Sequence, residues 1–270
     1  MSCNVLSIAG SDPSGGAGVQ ADLKTFAALR CYGMAAITAL TAQNTQGVRA
    51  FHLPPPDFVG EEIDAVFEDV EVAAVKIGML GSVEIVEVVA QRLARFRPPF
   101  VVLDPVLAAT SGDALAGDGV EAAIVERLFP LATLVTPNLA EARRLAGIER
   151  RLGAGDMREA ADRLLRLGAK AALVKGGDLS GETSEDFFLD ADTEEILSAP
   201  RVKTRNAHGT GCTLSSAIAA FLGRGAPMLE AVASAKAYVT GALRGADALN
   251  VGQGGGHGPL DHFFALKPKI

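Results

Sequence analysis

The sequence predicts an α/β fold, a mainly parallel central sheet with helices on both faces, and three observations carry that prediction. Short apolar runs recur with helical patterns between most of them; the polar, glycine-bearing loops follow those runs; and 270 residues suffice to bury a large core. One domain spanning residues 1–270 is expected, because α/β architectures of this size commonly stay one unit.

In chain order, Val5-Leu6-Ser7-Ile8-Ala9 reads as a buried strand that ends at Gly10, and a helix is expected over residues 18–30. Between them lies Ser11-Asp12-Pro13-Ser14-Gly15-Gly16-Ala17. Further strands are expected at 35–40, 72–77, 100–103, 133–135 and 171–174, and helices at 58–67, 82–95, 119–128, 138–146, 157–167, 213–222 and 228–246. Pro54-Pro55-Pro56 is stiff and precedes a helix that Asp57 is placed to cap. Two short strands at 186–189 and 195–197 flank Asp190-Ala191-Asp192-Thr193, a hairpin turn at a sheet edge or small flap. Residues 252–258 read as a mobile loop, and no internal repeat is visible.

Composition narrows the function classes. The formal net charge is −7, which gives no electrostatic reason to expect nucleic acid or an anionic membrane as partner, so any phosphate must be held by local groups. The longest apolar stretches fall far short of the ~20 residues that cross a bilayer. Met1-Ser2-Cys3-Asn4 carries no basic leader pattern, and the cytoplasm is the expected compartment. Cys3, Cys31 and Cys212 are odd in number and form no Cys-x-x-Cys pair, so free thiols are expected rather than a disulfide framework or a cysteine zinc site. Cys3, at a start prone to disorder, and Cys31 read as bystanders.

The chemistry concentrates in loops that follow strands, and in a sheet of this kind such loops converge beyond the carboxyl ends of the strands. Asn206-Ala207-His208-Gly209-Thr210-Gly211-Cys212-Thr213 places two glycines and a cysteine where a loop becomes an alanine-rich helix. Gly209 and Gly211 allow close backbone approach, and the first N–H groups of the helix lack intrahelical partners, which suits a phosphate. A plain turn with a small apolar cysteine is the alternative. Asp104-Pro105, Asn138-Leu139-Ala140-Glu141 and Lys175-Gly176-Gly177-Asp178 add carboxylates, an amide and an ammonium. Nucleotide-dependent phosphoryl transfer needs that mixture. Each also has a plain structural explanation: helix start, strand-end lysine, turn before proline. A Walker loop is absent, and Leu214 stands where a dinucleotide fingerprint needs glycine. His208 reads as a residue that structures its loop, with service to the phosphates as the alternative.

Motifs along nearly the whole chain then carry a resemblance. They are Ala9-Gly10-Ser11-Asp12-Pro13-Ser14-Gly15-Gly16-Ala17-Gly18-Val19-Gln20-Ala21-Asp22-Leu23-Lys24-Thr25, Ala42-Gln43-Asn44-Thr45, Lys76-Ile77-Gly78-Met79-Leu80, Leu103-Asp104-Pro105-Val106, Thr136-Pro137-Asn138, Lys175-Gly176-Gly177 and His208-Gly209-Thr210-Gly211-Cys212-Thr213. With them the chain resembles the hydroxymethylpyrimidine/phosphomethylpyrimidine kinases of thiamine biosynthesis, within the ribokinase-like superfamily. The resemblance implies a ribokinase-like fold, ATP as phosphoryl donor with Mg2+, and a small aminopyrimidine alcohol as substrate, phosphorylated first to the monophosphate and then to the diphosphate. It implies a homodimer.

It also implies roles. Gln43 reads the pyrimidine, for which a carboxamide offers a donor beside an acceptor; Gly10, Asp22, Met79 and Val106 complete the substrate pocket. Lys175, Asn138 and Thr210 serve ATP, and Asp104 and Glu141 the magnesium. Cys212, Gly209 and Gly211 are catalytic. Where most ribokinase-like enzymes carry an aspartate, this chain has Cys212, and a helix N-terminus is expected to bring its thiolate within reach of neutral pH. Residues 251–259 are slightly longer than the expected glycine-rich tail. A pyridoxal kinase of the same superfamily is the nearest rival. A cysteine phosphatase would need Cys-x5-Arg, and position 218 is Ile. A phosphate-ligand sensor would bind without consuming ATP.

Overall fold

Strands buried on both faces build the centre of the sheet. The computed structural model describes residues 3–108, 115–252 and 254–266. β1 (Cys3–Ser11) leads through α1 (Gly18–Ala28) into β2 (Cys31–Asn44), which turns back as β3 (Gly47–His52). Then come α2 (Pro56–Asp69), β4 (Ala74–Ile77), α3 (Val83–Phe96), β5 (Val101–Leu103), α4 (Val120–Ala123), β6 (Leu134–Val135), α5 (Leu139–Leu145), α6 (Met157–Arg166) and β7 (Ala172–Lys175). β8 (Thr183–Leu189), β9 (Glu194–Pro200), α7 (Thr210–Gly223) and α8 (Met228–Gly245) follow.

The strands form one sheet in the order β3-β2-β1-β4-β5-β6-β7-β8-β9. Neighbours from β2 to β7 run parallel, while β3, β8 and β9 add antiparallel edges. Successive side chains point to opposite faces. Leu6, Val75, Leu103, Val135 and Val174 therefore pack into a core with α2 to α6, whereas Val5, Ala74, Val102, Leu134 and Leu173 pack with α1, α7 and α8. Burial on both sides explains why these strands read as unbroken apolar runs. The α/β fold with helices on both faces is thus as the sequence predicts.

Several details depart from expectation. β3 goes unnoticed in the sequence because its side chains face outward for most of its length, so no buried alternation marks it; the long β2 supplies its partner. Asp57 does not cap α2: Pro56 takes the first helical position, where its missing N–H is harmless, and Asp57 sits in the first turn. The helix expected over 119–128 is regular only through Ala123 and continues as a π-turn, Ile124–Leu128. Cys3 is no frayed end. It opens β1, buried, beside Cys31 in register, and both thiols approach the carbonyl of Ala220. Of the expected loop at 252–258, residue 253 lies outside the described residues.

A bulge in β2 interrupts its pairing with the end of β1. Pairing slips from Ala9–Ile37 to Gly10–Ala39, which leaves Thr38 extra. The Thr38 hydroxyl donates to the carbonyl of Met79, and the N–H of Ile37 donates to the Glu62 carboxylate at 3.0 Å. Burial raises the Glu62 carboxyl above its ordinary range despite that bond.

Beneath the carboxyl ends of β1 and β4 lies a fully buried ion pair. Lys76 Nζ donates to both Asp22 oxygens, at 2.9 and 2.8 Å, and the same carboxylate accepts from Ser7 Oγ (2.6 Å) and Ser216 Oγ (2.7 Å). Burial alone would depress the Lys76 ammonium, but the charge and hydrogen bonds of Asp22, with Cys212 and Asp104, together outweigh it and hold the lysine above its ordinary range. Removing one partner strands a charge in the core, whereas removing both does not. Asp22→Ala is expected to destabilise by about 3–5 kcal/mol in urea unfolding. The double variant Asp22→Ala/Lys76→Met should recover a large part of that loss, and a double variant no more stable than the single would contradict the pairing.

Candidate active site

Every strand-end loop singled out from sequence opens onto one cleft of about 720 Å³. It lies at the carboxyl edge of the sheet, where β1 and β4 diverge in connection, the crevice such sheets use for ligands. Its floor is built by the glycine loop after β1. Asp12 is the organiser: Oδ1 accepts from the N–H and hydroxyl of Ser14, and Oδ2 from the N–H groups of Gly16 (3.1 Å) and Ala17 (2.8 Å). Burial would raise the Asp12 carboxyl, but hydrogen bonds from His208 and Ser14 prevail and hold it below its ordinary value. His208 Nε2 sits 2.8 Å from Asp12 Oδ2, tying the glycine loop to the loop before α7, the structuring role expected of it.

α7 begins at Thr210, three residues earlier than expected, so Gly211 and Cys212 fall in its first turn. Gly209 caps it with φ +82, and a Cβ there would lie 1.9 Å from the carbonyl oxygen of Gly16. Only glycine fits that crossing of two loops. The N–H groups of Gly211 and Cys212 have no intrahelical acceptor, by the geometry of a helix start.

The Cys212 thiol is half-buried and accepts from the N–H of Gly18. Burial pushes it up to about 11; the Lys76 ammonium pulls the other way, while Asp22 and Asp104 add to the rise. The expectation of a thiolate near neutral pH is therefore corrected: desolvation and two carboxylates outweigh the helix terminus. Lys175 Nζ donates to Asp104 Oδ1 at 2.7 Å, and Asp104 also accepts from Thr136 (3.1 Å) and Ser215 (3.4 Å). A Cβ on Gly211 would stand 3.2 Å from Lys175 Nζ and 3.4 Å from Asp104 Oδ2, so this pair lies directly against the helix start. Asn138 and Glu141 close a capping box on α5, with reciprocal bonds of 2.9 and 2.8 Å. Burial raises the Glu141 carboxyl to about 7, with Lys175 lowering and Asp104 raising it.

On the opposite side stand Gln43, Gly10, Met79 and Val106. The Gln43 amide lies 3.2 Å from Thr41 Oγ1 and 3.3 Å from His208 Nε2. Gly10 leaves room for Met79, whose sulfur would be 3.1 Å from a Cβ at that position. Cys212, Gly209, Gly211, Gln43, Gly10, Met79, Val106, Lys175, Asn138, Thr210, Asp104 and Glu141 all line the cleft. Asp22 does not. It is fully buried beneath the floor, and its place facing the cleft is taken by the lysine it holds.

Sequence reasoning gave no role to Lys76, Asp12 or the pair Lys236–Asp186. Lys236 Nζ donates to Asp186 Oδ2 at 2.6 Å, and Asp186 Oδ1 accepts from the N–H of Gly176, next to Lys175. Both partners border the cleft. A signal was available: Lys76 interrupts an otherwise apolar strand, and a buried charge requires a partner.

A model of the phosphomethylpyrimidine kinase family matches residues 12–261. A hydroxymethylpyrimidine/phosphomethylpyrimidine kinase of Rhizobium meliloti is 53% identical, the match covering 97% of this chain and 98% of the relative. One of Escherichia coli is 48% identical over the same shares. Among solved structures, the ADP complex of Bacillus subtilis pyridoxal kinase superposes with a TM-score of 0.89 at 34% identity, covering 99% of this chain and 100% of that one. Phosphomethylpyrimidine kinase from Clostridium difficile gives 0.77 at 41% identity, covering 88% and 97%. With its sheet order, its strand-end cleft and these matches along nearly its full length, the chain belongs to the phosphomethylpyrimidine kinase family.

Proposed function

We propose that this cleft transfers the γ-phosphoryl group of ATP to the hydroxymethyl oxygen of 4-amino-5-hydroxymethyl-2-methylpyrimidine, then phosphorylates the monophosphate to the diphosphate, in thiamine biosynthesis. The observation that carries the reading is convergence in one cleft: the Gln43 carboxamide, the Cys212 thiol in the first turn of α7 and the Lys175 ammonium, in a chain 53% identical to a relative of that name.

Gln43 pairs with the aminopyrimidine edge, and Gly10, Met79 and Val106 shape the pocket around the ring. The Cys212 sulfur takes the alcohol proton as the oxygen attacks the γ-phosphorus and the bond to the leaving ADP oxygen breaks. The N–H groups of Gly211 and Cys212, with Lys175, hold the transferring group. Asp104 and Glu141 are two cleft carboxylates close enough to influence each other, a donor set that fits a divalent cation carried in by phosphates. When bound, Mg2+ would neutralise phosphate oxygens there, held by these carboxylates directly or through water, with Asn138 and Thr210 on the nucleotide side. No trio of His, Cys, Asp and Glu is gathered for a metal among the described residues, and a magnesium that arrives with nucleotide needs only one or two carboxylates. No helix among the described residues is long and apolar enough to cross a membrane. The cytoplasm, where ATP is supplied, and a homodimer belong to the same proposal. Pyridoxal phosphorylation is the second reading, favoured by the likeness to the Bacillus subtilis pyridoxal kinase.

The two transfers differ in their need for a base. The alcohol must lose a proton, whereas the monophosphate attacks through an oxygen already ionised. Cys212→Ala is expected to slow the first transfer by roughly 10²–10⁴ and the second far less in single-turnover assays; equal losses would make Cys212 a positioning residue. Because the active form is the deprotonated thiol and its pKa is raised to about 11, the first transfer should accelerate steadily from pH 7 to pH 9. That rise should vanish in Cys212→Ala and be absent from the second transfer; a flat profile in the wild type excludes the thiol as base.

Gln43→Ala is expected to raise the KM for the pyrimidine by on the order of ten-fold while leaving the KM for ATP unchanged. A parallel rise in both would remove Gln43 from the substrate pocket.

A further inference from the structure

We propose that His208 and Thr41 lock the Gln43 carboxamide in one orientation, so that the cleft accepts only a ring edge with an exocyclic N–H beside an unprotonated ring nitrogen and rejects the reversed order. The inference rests on the reading of Gln43 as the pyrimidine contact and adds the direction in which that contact is read.

The Asp12 carboxylate accepts from the Ser14 N–H and hydroxyl and from the N–H groups of Gly16 and Ala17, so it faces His208 as an acceptor. His208 Nε2 stands 2.8 Å from Asp12 Oδ2 and must therefore carry a hydrogen, since two lone pairs at that distance would repel. The same Nε2 lies 3.3 Å from the amide end assigned as Gln43 Nε2, which would set two N–H donors face to face. A nitrogen that bears a proton offers no lone pair in the ring plane, so the amide end towards His208 must be the carbonyl oxygen, which shares that hydrogen. The two ends of a carboxamide are alike in size, and the surrounding protons decide which faces which.

Thr41 imposes the same answer from the other end. Its one hydroxyl proton goes to the carbonyl of Ser11 at 2.8 Å. Its oxygen is then left as an acceptor towards the amide end 3.2 Å away, assigned as Gln43 Oε1, and exchanging the two amide ends, which places the NH2 group there, satisfies both neighbours. Two independent neighbours thus assign one orientation. Gln43 keeps an oxygen lone pair and one N–H for a ligand, in fixed order, and a 4-aminopyrimidine edge complements them. A 4-oxo-3H-pyrimidine presents the reverse, an acceptor and then a donor. A freely turning amide would accept both.

The test compares dissociation constants for 4-amino-5-hydroxymethyl-2-methylpyrimidine and its 4-oxo-3H analogue by titration calorimetry. Wild type is expected to bind the amino compound at least about ten-fold more tightly. His208→Phe and Thr41→Val should each narrow that gap, and His208→Gln, which restores a donor, should reopen it. If His208→Phe does not fold, Thr41→Val, which loses only a hydroxyl, decides. Equal binding of both compounds by wild type, or a gap that persists in the folded variants, overturns the proposal. Gln43→Ala separates the failures: if it leaves affinity for the amino compound intact, the placement of Gln43 falls, whereas if it weakens that affinity while the gap survives in the variants, only the orientation lock falls.

Discussion

A single carboxylate joins four elements of this molecule. Asp22 on α1 accepts from Lys76 on β4, Ser7 on β1 and Ser216 on α7, all in full burial. An isolated charge there would be untenable, so the pair fixes how α1 and α7 seat on the two strands between which the cleft opens. An apolar filling of the same volume is often as stable as such a pair, and what the pair adds here is four hydrogen bonds that tie α1, β1, β4 and α7 to one carboxylate.

The same pair sets the electrostatics above it. Lys76 is the main group lowering the Cys212 thiol, and Asp22 and Asp104 oppose it. Nearby, Lys175 answers Asp104, and Glu141 is caught between burial and both of these charges. The cleft therefore holds cations and carboxylates in near balance before any phosphate enters, an arrangement in which an added anion and its counter-ion redistribute existing pairings. Each charge is anchored by an element end, so little rearrangement is needed to present it.

Much of this was legible in the chain. Residues buried on both faces give unbroken apolar runs, and that is why β1, β4, β5 and β7 stood out while the outward-facing β3 did not. The loops after those strands carried the polar motifs, and sheet geometry alone gathers them at one edge. Asp22 was misplaced because a sequence shows a carboxylate near a pocket motif without its direction; on α1 it points beneath the floor. The raised Cys212 was equally invisible, since the helix terminus is local and readable whereas the burial and the carboxylates that oppose it arrive from distant segments.

The sequence by itself determined the layered α/β architecture, the glycines at the crossing of two loops and the inventory of groups at the cleft, because periodicity, turn chemistry and residue type are local properties. Only the tertiary structure decided which charges pair and which thiol is desolvated. Those outcomes depend on distances of about 3 Å between residues as far apart in the chain as Asp12 and His208, and on the exclusion of water from the space between them.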